Sequence, residues 1–165
     1  MPAARRPEDR VVVTGMGVLS PVGNSAASAF DALVRGQSGI AAVDPPLPDE
    51  FDVRIAGQVR GYDPTTLLGK KHARRHARFT HLALGAAREA IEQAGLADAG
   101  YDRDRIGVVF GTGMGGLEVV VEEAHVLRDR GPNKMSPFGL PASIPNIAAA
   151  MIGEVFGATG PNHAI

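Results

Sequence analysis

Four glycines, Gly111, Gly113, Gly115 and Gly116, follow the apolar run 106–110 and precede a stretch with helical periodicity. A strand, a glycine turn and a helix in succession let backbone approach a phosphate, an acyl chain or another strand closely. Gly111, Gly113 and Gly116 have the spacing of a dinucleotide-binding turn, which also requires an acidic residue ending a second parallel strand about twenty positions on. That distance falls on Asp129 and Arg130, at the end of the following helical stretch and ahead of a Pro/Gly-rich loop. A P-loop is excluded because no Gly-Lys-Ser/Thr follows. Close packing is therefore the expected role of these glycines. Thr14-Gly15-Met16-Gly17 has a related pattern, but Ser20 stands at the third glycine position and Pro21 delays the helix, so it too reads as a structural turn.

Lys70, Lys71, Arg74, Arg75 and Arg78 occur with no acidic residue between Asp63 and Glu89. In one continuous helix Lys71, Arg74, Arg75 and Arg78 share a face, where like charges repel. A solvated face is the plain reading of such a run. In a chain of net charge -1, this concentration also fits an acidic partner. His72 and His76 have an i, i+4 spacing that suits zinc. They lack a carboxylate or third ligand nearby and sit among five cations, so no metal site is expected. His125, after Glu122 and Glu123, reads as a structural hydrogen-bonding residue.

The 165 residues are 44% hydrophobic and 21% charged, which suits one domain with a core. The near-neutral charge points to neither nucleic acid nor membrane. There is no bilayer-spanning apolar run and no secretory h-region in the first ten residues, so a cytoplasmic protein is expected. The absence of cysteine excludes disulfides, thiolate metal sites and a cysteine nucleophile within this sequence.

The elements that must position these residues alternate. Residues 1–10 read as a disordered tail ahead of a unit spanning 11–165. The β-branched residues Val11, Val12, Val13 and Thr14 read as a buried strand. A helix capped by Asn24 or Ser25 runs to about Arg35, with Ala26, Ala29, Phe30, Leu33 and Val34 on its apolar side and Gly36 as its stop. Residues 37–52 read as loop and 51–59 as a short half-exposed strand with Val53 and Ile55 inward. Residues 65–94 read as one long helix ending at Gly95, 106–110 as a strand and 117–130 as a helix. A Pro/Gly loop then leads to a helix over 146–156, and a strand begins at Asn162. The order predicts an α/β fold with a mixed or largely parallel sheet.

Four stretches carry a family resemblance: VVVTGMGVLSPVGN at 11–24, RIGVVFGTGMGGL at 105–117, HVLRDRGPNKMSPFGLP at 125–141 and GPNHAI at 160–165. Together they resemble the N-terminal part of a β-ketoacyl-[acyl-carrier-protein] synthase of the synthase II branch. The resemblance implies a thiolase-like α-β-α layered fold, here less than half of such an enzyme and ending mid-domain. It implies a decarboxylative Claisen condensation of an acyl thioester with malonyl-acyl carrier protein, in fatty-acid or polyketide synthesis and without a cofactor. It further implies a homodimer and a cysteine and two histidines beyond Ile165. On the matching positions it implies that Met114, Gly113 and Gly115 lie by the acyl pocket. Phe138, Gly139 and Leu140 correspond to the loop that crosses the dimer interface and closes the partner's pocket. Relatives often have two aromatics there, where this chain has Phe138-Gly139. Lys71, Arg74 and Arg75 fall where family members meet the acidic carrier protein. Other readings are a non-catalytic chain-length-factor subunit of the same fold, an NAD(P)-binding oxidoreductase, and a stand-alone binding module.

Without the cysteine, purified residues 1–165 are expected to show no condensation. Acyl transfer or malonyl decarboxylation by this chain, followed with labelled thioesters, would contradict that expectation.

Overall fold

The helix Arg78–Ala94 (α3) is the element on which the others assemble. A computed structural model of the chain describes residues 10–165; the expected tail, apart from exposed Arg10, lies outside the described residues. α3 buries Thr80, Ala83, Leu84 and Gly85. Its small side chains let other backbone come close. A Cβ on Gly15 or Gly17 would lie 2.0 and 1.9 Å from the carbonyl oxygens of Ala90 and Ala86, so only glycine permits this approach. The segment is tied down by side chains of α3. Gln93 accepts the Met16 N–H at 2.6 Å, and the Glu89 carboxylate accepts the N–H groups of Val18 at 2.9 Å and Ala26 at 2.8 Å. The turn expected at Gly15–Gly17 does not form: the segment is irregular and its glycines serve close packing on α3 instead.

Ala26 opens the first helix, Ala26–Val34 (α1), capped by a reciprocal Ser25–Ser28 pair. α1 buries Ala29 and Ala32, while Phe30, Leu33 and Val34 are exposed. The expected apolar side is correct in composition but mostly uncovered. Phe30 and Leu33 instead line an apolar cleft of 660 Å³ with Met16, Val18 and Val22. The strand expected at residues 11–14 does not form: no ladder partner runs beside it among the described residues, and Val11 is 94% exposed.

Two short strands follow, Ile40–Ala42 (β1) and Ile55–Gly57 (β2), paired antiparallel with Ala41 opposite Ala56. β1 lies in a stretch that reads as loop because its alanines and flanking prolines carry no strand signal. The inward residue of β2 is Ala56, and Ile55 is exposed, so the expected phase is reversed.

The single helix expected over 65–94 is two. Thr65–Ala73 (α2) is kinked at Gly69, and extended Ala77 separates it from α3. Ala77 has no side chain to cap α3; the Glu118 carboxylate from the next helix accepts the Arg78 N–H instead, at 3.1 Å. The Arg78 guanidinium turns inward, donating to the carbonyls of Tyr62 and Val59.

The strand Val108–Phe110 (β3) leads into the helix Leu117–Arg130 (α4). The expected Pro/Gly loop contains a short helix, Gly139–Ser143 (α5), and is followed by Ile147–Phe156 (α6). The chain closes on Asn162–Ala164 (β4), parallel to β3, with Val109 opposite His163. α6 buries Ala148, Ala149, Met151 and Gly153 and packs against α3 and β3. The mixed sheet of the sequence reading is therefore two separate pairs among the described residues, one antiparallel and one parallel. No helix of the described residues is long and apolar enough to cross a membrane.

Gly17→Ala is expected to cost about 2–4 kcal/mol because the new methyl meets a helix carbonyl. Gly36→Ala, with open space around it, is expected to cost only the left-handed conformation, about 1–2 kcal/mol. Urea unfolding measures both, and equal losses would contradict the packing described here.

Candidate functional site

The carboxyl ends of parallel β3 and β4 come together at the glycine turn. The Ile165 N–H donates to the Phe110 carbonyl and the Thr112 N–H to the Ile165 carbonyl, both at 3.0 Å. The turn is closed from within by the Gly115 N–H on Thr112 Oγ1 at 3.3 Å. It is closed from outside by the Gly116 N–H on the Ser143 carbonyl at 2.9 Å. A Cβ on Gly115 would lie 2.6 Å from the Ser143 carbonyl oxygen, and one on Gly116 would lie 2.9 Å from Ala142 O and from Ala77 Cβ. These glycines serve contact with the end of α5. Their amides are committed to Thr112 and Ser143, which leaves neither to bind a phosphate. Gly113 faces open space, and Met114 is 69% exposed. Together they form an uncovered lip where the two strands end, the usual ligand position in parallel α/β sheets.

Beside this lip, residues 136–140 are held from α4. The Glu123 carboxylate accepts the Ser136 N–H at 2.9 Å, and its Cγ lies 2.8 Å from where a Gly139 Cβ would stand. Phe138 is partly exposed and Leu140 is 77% exposed. An apolar cavity of 320 Å³ lies between α4 and this loop, lined by Val120, Ala124, Leu127, Met135 and Leu140. Glu123 carries no motif signal, because its contact lies thirteen positions downstream.

Lys70, Lys71 and Arg74 are exposed at the end of α2, whereas Arg75 is half-buried with its guanidinium 4.4 Å from the Phe138 ring centre. The break after Ala73 thus separates the cations that the sequence places on one helical face. It also takes His72 and His76 off a shared helix, and no metal-binding group of three occurs among the described residues. His125 is exposed on α4 beside Asp129, without the hydrogen bond expected of it among the described residues.

His76 and His81 sit behind the basic turn. His81 Nε2 donates to the Ala73 carbonyl at 2.9 Å, and His76 Nδ1 is buried without a partner among the described residues. Burial holds both below their usual 6.5. His81 lowers His76 further against an opposing pull from Glu154, while Arg78 lowers His81 against the Ala73 carbonyl and Glu118.

Residues 8–165 match the model of the β-ketoacyl synthase N-terminal domain. The chain is 42% identical over 156 residues to 3-oxoacyl-[acyl-carrier-protein] synthase 2 of Vibrio cholerae, covering 94% of this chain but 38% of that protein. Among solved structures it resembles the ishigamide ketosynthase/chain length factor, with a TM-score of 0.82 and 22% identity over 93% of this chain and 39% of the other. It also resembles a type II polyketide ketosynthase in complex with its acyl-carrier protein, with a TM-score of 0.71 and 18% identity over 93% and 40% of the two chains. At these identities the structures show the fold alone, and that fold is the thiolase-like α/β fold that the family resemblance implies.

A histidine with a depressed folded pKa binds its proton more readily in the unfolded chain, so stability is expected to fall as pH drops below about 6.5. His81→Gln keeps a side-chain donor for Ala73 but removes one titration. Urea midpoints at pH 7.5 and 5.5 should differ less in the variant; an undiminished difference would contradict the assignment.

Proposed function

The chain belongs to the β-ketoacyl synthase family, and on that footing we propose that it is the N-terminal portion of a condensing enzyme. It spans about 38% of the length of the Vibrio cholerae relative, so the reaction is proposed for the protein that contains it. In that reaction an acyl group passes from its carrier thioester to a cysteine thiolate. A malonyl-carrier thioester loses carbon dioxide, and its carbanion attacks the new thioester, expelling the thiolate. The sequence holds no cysteine, so this chain's part is to build the acyl pocket and meet the carrier protein. No cofactor or metal enters the reaction.

The observation that carries this reading is the Thr112–Ile165 hydrogen bond. It fixes the glycine turn at the end of β4, the strand that in the family runs on to the nucleophile. Met114 then lies where it can line the pocket, between Gly113 and Gly115, and its flexible thioether adapts to different acyl chains. Exposed Leu140 and the cavity beneath it support an interface role for residues 138–140 in a homodimer. We place the enzyme in the cytoplasm. Fold alone is equally compatible with a chain-length-factor subunit; the 42% identity to a synthase 2 favours the catalytic reading.

The acidic partner is the acyl carrier protein, met by the exposed cations Lys71 and Arg74. Reversing both to glutamate is expected to weaken carrier binding about tenfold at low salt, as loss of complementary rim charges does. The difference should fade toward about 1 M salt, where screening acts within about 3 Å. Fluorescence anisotropy across ionic strengths tests this, and unchanged affinity at every salt concentration would remove the docking site.

A further inference from the structure

The basic run divides into two parts with different work, and it begins directly after Gly69. The φ of 70° and ψ of 158° at Gly69 lie in a region essentially reserved for glycine. Nothing stands within 4 Å of where its Cβ would be, so conformation rather than crowding is what glycine supplies. After this kink the chain makes one helical turn and closes with the Arg75 N–H on the His72 carbonyl at 2.9 Å. Lys70, Lys71 and Arg74 point to solvent, and Arg75 does not.

The Arg75 guanidinium lies over the ring of Phe138, the residue that caps α5. A planar guanidinium stacks on an aromatic face in a way that a lysine ammonium does not reproduce. Below the same loop, Glu123 accepts the Ser136 N–H and packs against Gly139. Arg75, Glu123, Phe138 and Gly139 line one small cavity of 180 Å³. Residues 136–139 are therefore held by two side chains, the Arg75 guanidinium on Phe138 and the Glu123 carboxylate on Ser136.

We propose that Arg75 is a positioning residue for residues 138–140, where the chain enters α5, and that the acidic partner meets Lys70, Lys71 and Arg74 instead. The identity of that partner rests on the proposed function; the hold on the loop does not. Lys70 thereby joins the partner surface, and Arg75 leaves it.

Arg75→Lys separates the two roles because it keeps the charge and loses the planar stack. Hydrogen exchange of the full chain, read on peptides covering residues 136–143, is expected to quicken about two- to fivefold in Arg75→Ala, the span of a partly buried cation–π contact. Arg75→Lys should give a smaller rise, and Lys70→Ala none. In a Phe138→Leu background Arg75→Ala should add nothing further, whereas a general loss of stability would add its full effect and would also raise exchange in α3. Carrier-protein affinity should hold in Arg75→Lys and fall in Lys70→Ala. Wild-type exchange over 136–143 in Arg75→Ala would overturn the proposal, as would an undiminished effect of Arg75→Ala without Phe138. If wild-type chain binds no carrier protein, the proposed partner fails and the exchange measurements still decide the role of Arg75.

Discussion

The Glu89 carboxylate is the constraint on which the arrangement depends. From the middle of α3 it accepts the N–H groups of both Val18 and Ala26, so one charged side chain fixes a long extended segment and the start of α1. Backbone N–H groups brought against a helix need such an acceptor, since leaving one unpaired costs about 1–3 kcal/mol. Gly15 and Gly17 make the approach sterically possible, and Glu89 with Gln93 makes it electrostatically acceptable. The opposite side of α3 packs on α6, α6 packs under β3, and β3 ends in the glycine turn. The position of Met114 is thus traceable through three packed layers to small residues on one helix.

This framework leaves much apolar surface bare. The accessible surface is 11586 Å², where a compact protein of 17.2 kDa exposes about 7,800 Å². The buried core is mostly alanine, and Leu84 and Thr80 are its largest fully buried side chains. Val11, Val12, Phe30, Val109 and Leu140 lie outside it. On the proposed function these are the faces that meet the remaining layers of the enzyme and its second copy.

The legible parts of the sequence were those decided locally. α1 follows from its apolar periodicity, Ser25 and the stop at Gly36, the extents of α4 and α6 fall close to those expected, and β4 begins where its motif suggests. The break between α2 and α3 was illegible because it combines an extended, uncapped Ala77 with a cap supplied by Glu118, forty positions away. The β2 phase failed because the strand turns Ala56 inward and leaves Ile55 exposed, against the hydrophobic pattern. At the site, the packing role of the glycine turn could be read from the missing acidic strand end. The Arg75–Phe138 and Glu123–Ser136 contacts could not, since they join elements with no shared pattern. The role proposed for Met114 comes from family resemblance, and no periodicity would have supplied it.

The most direct measurement is acyl-chain selectivity in the condensing enzyme carrying Met114→Trp. If the glycine turn walls the acyl pocket, kcat/KM for long acyl thioesters should fall at least about tenfold relative to short ones, since a pocket contact discriminates on that scale. An unchanged long-to-short ratio, in an enzyme that remains folded and active on short chains, would contradict the account.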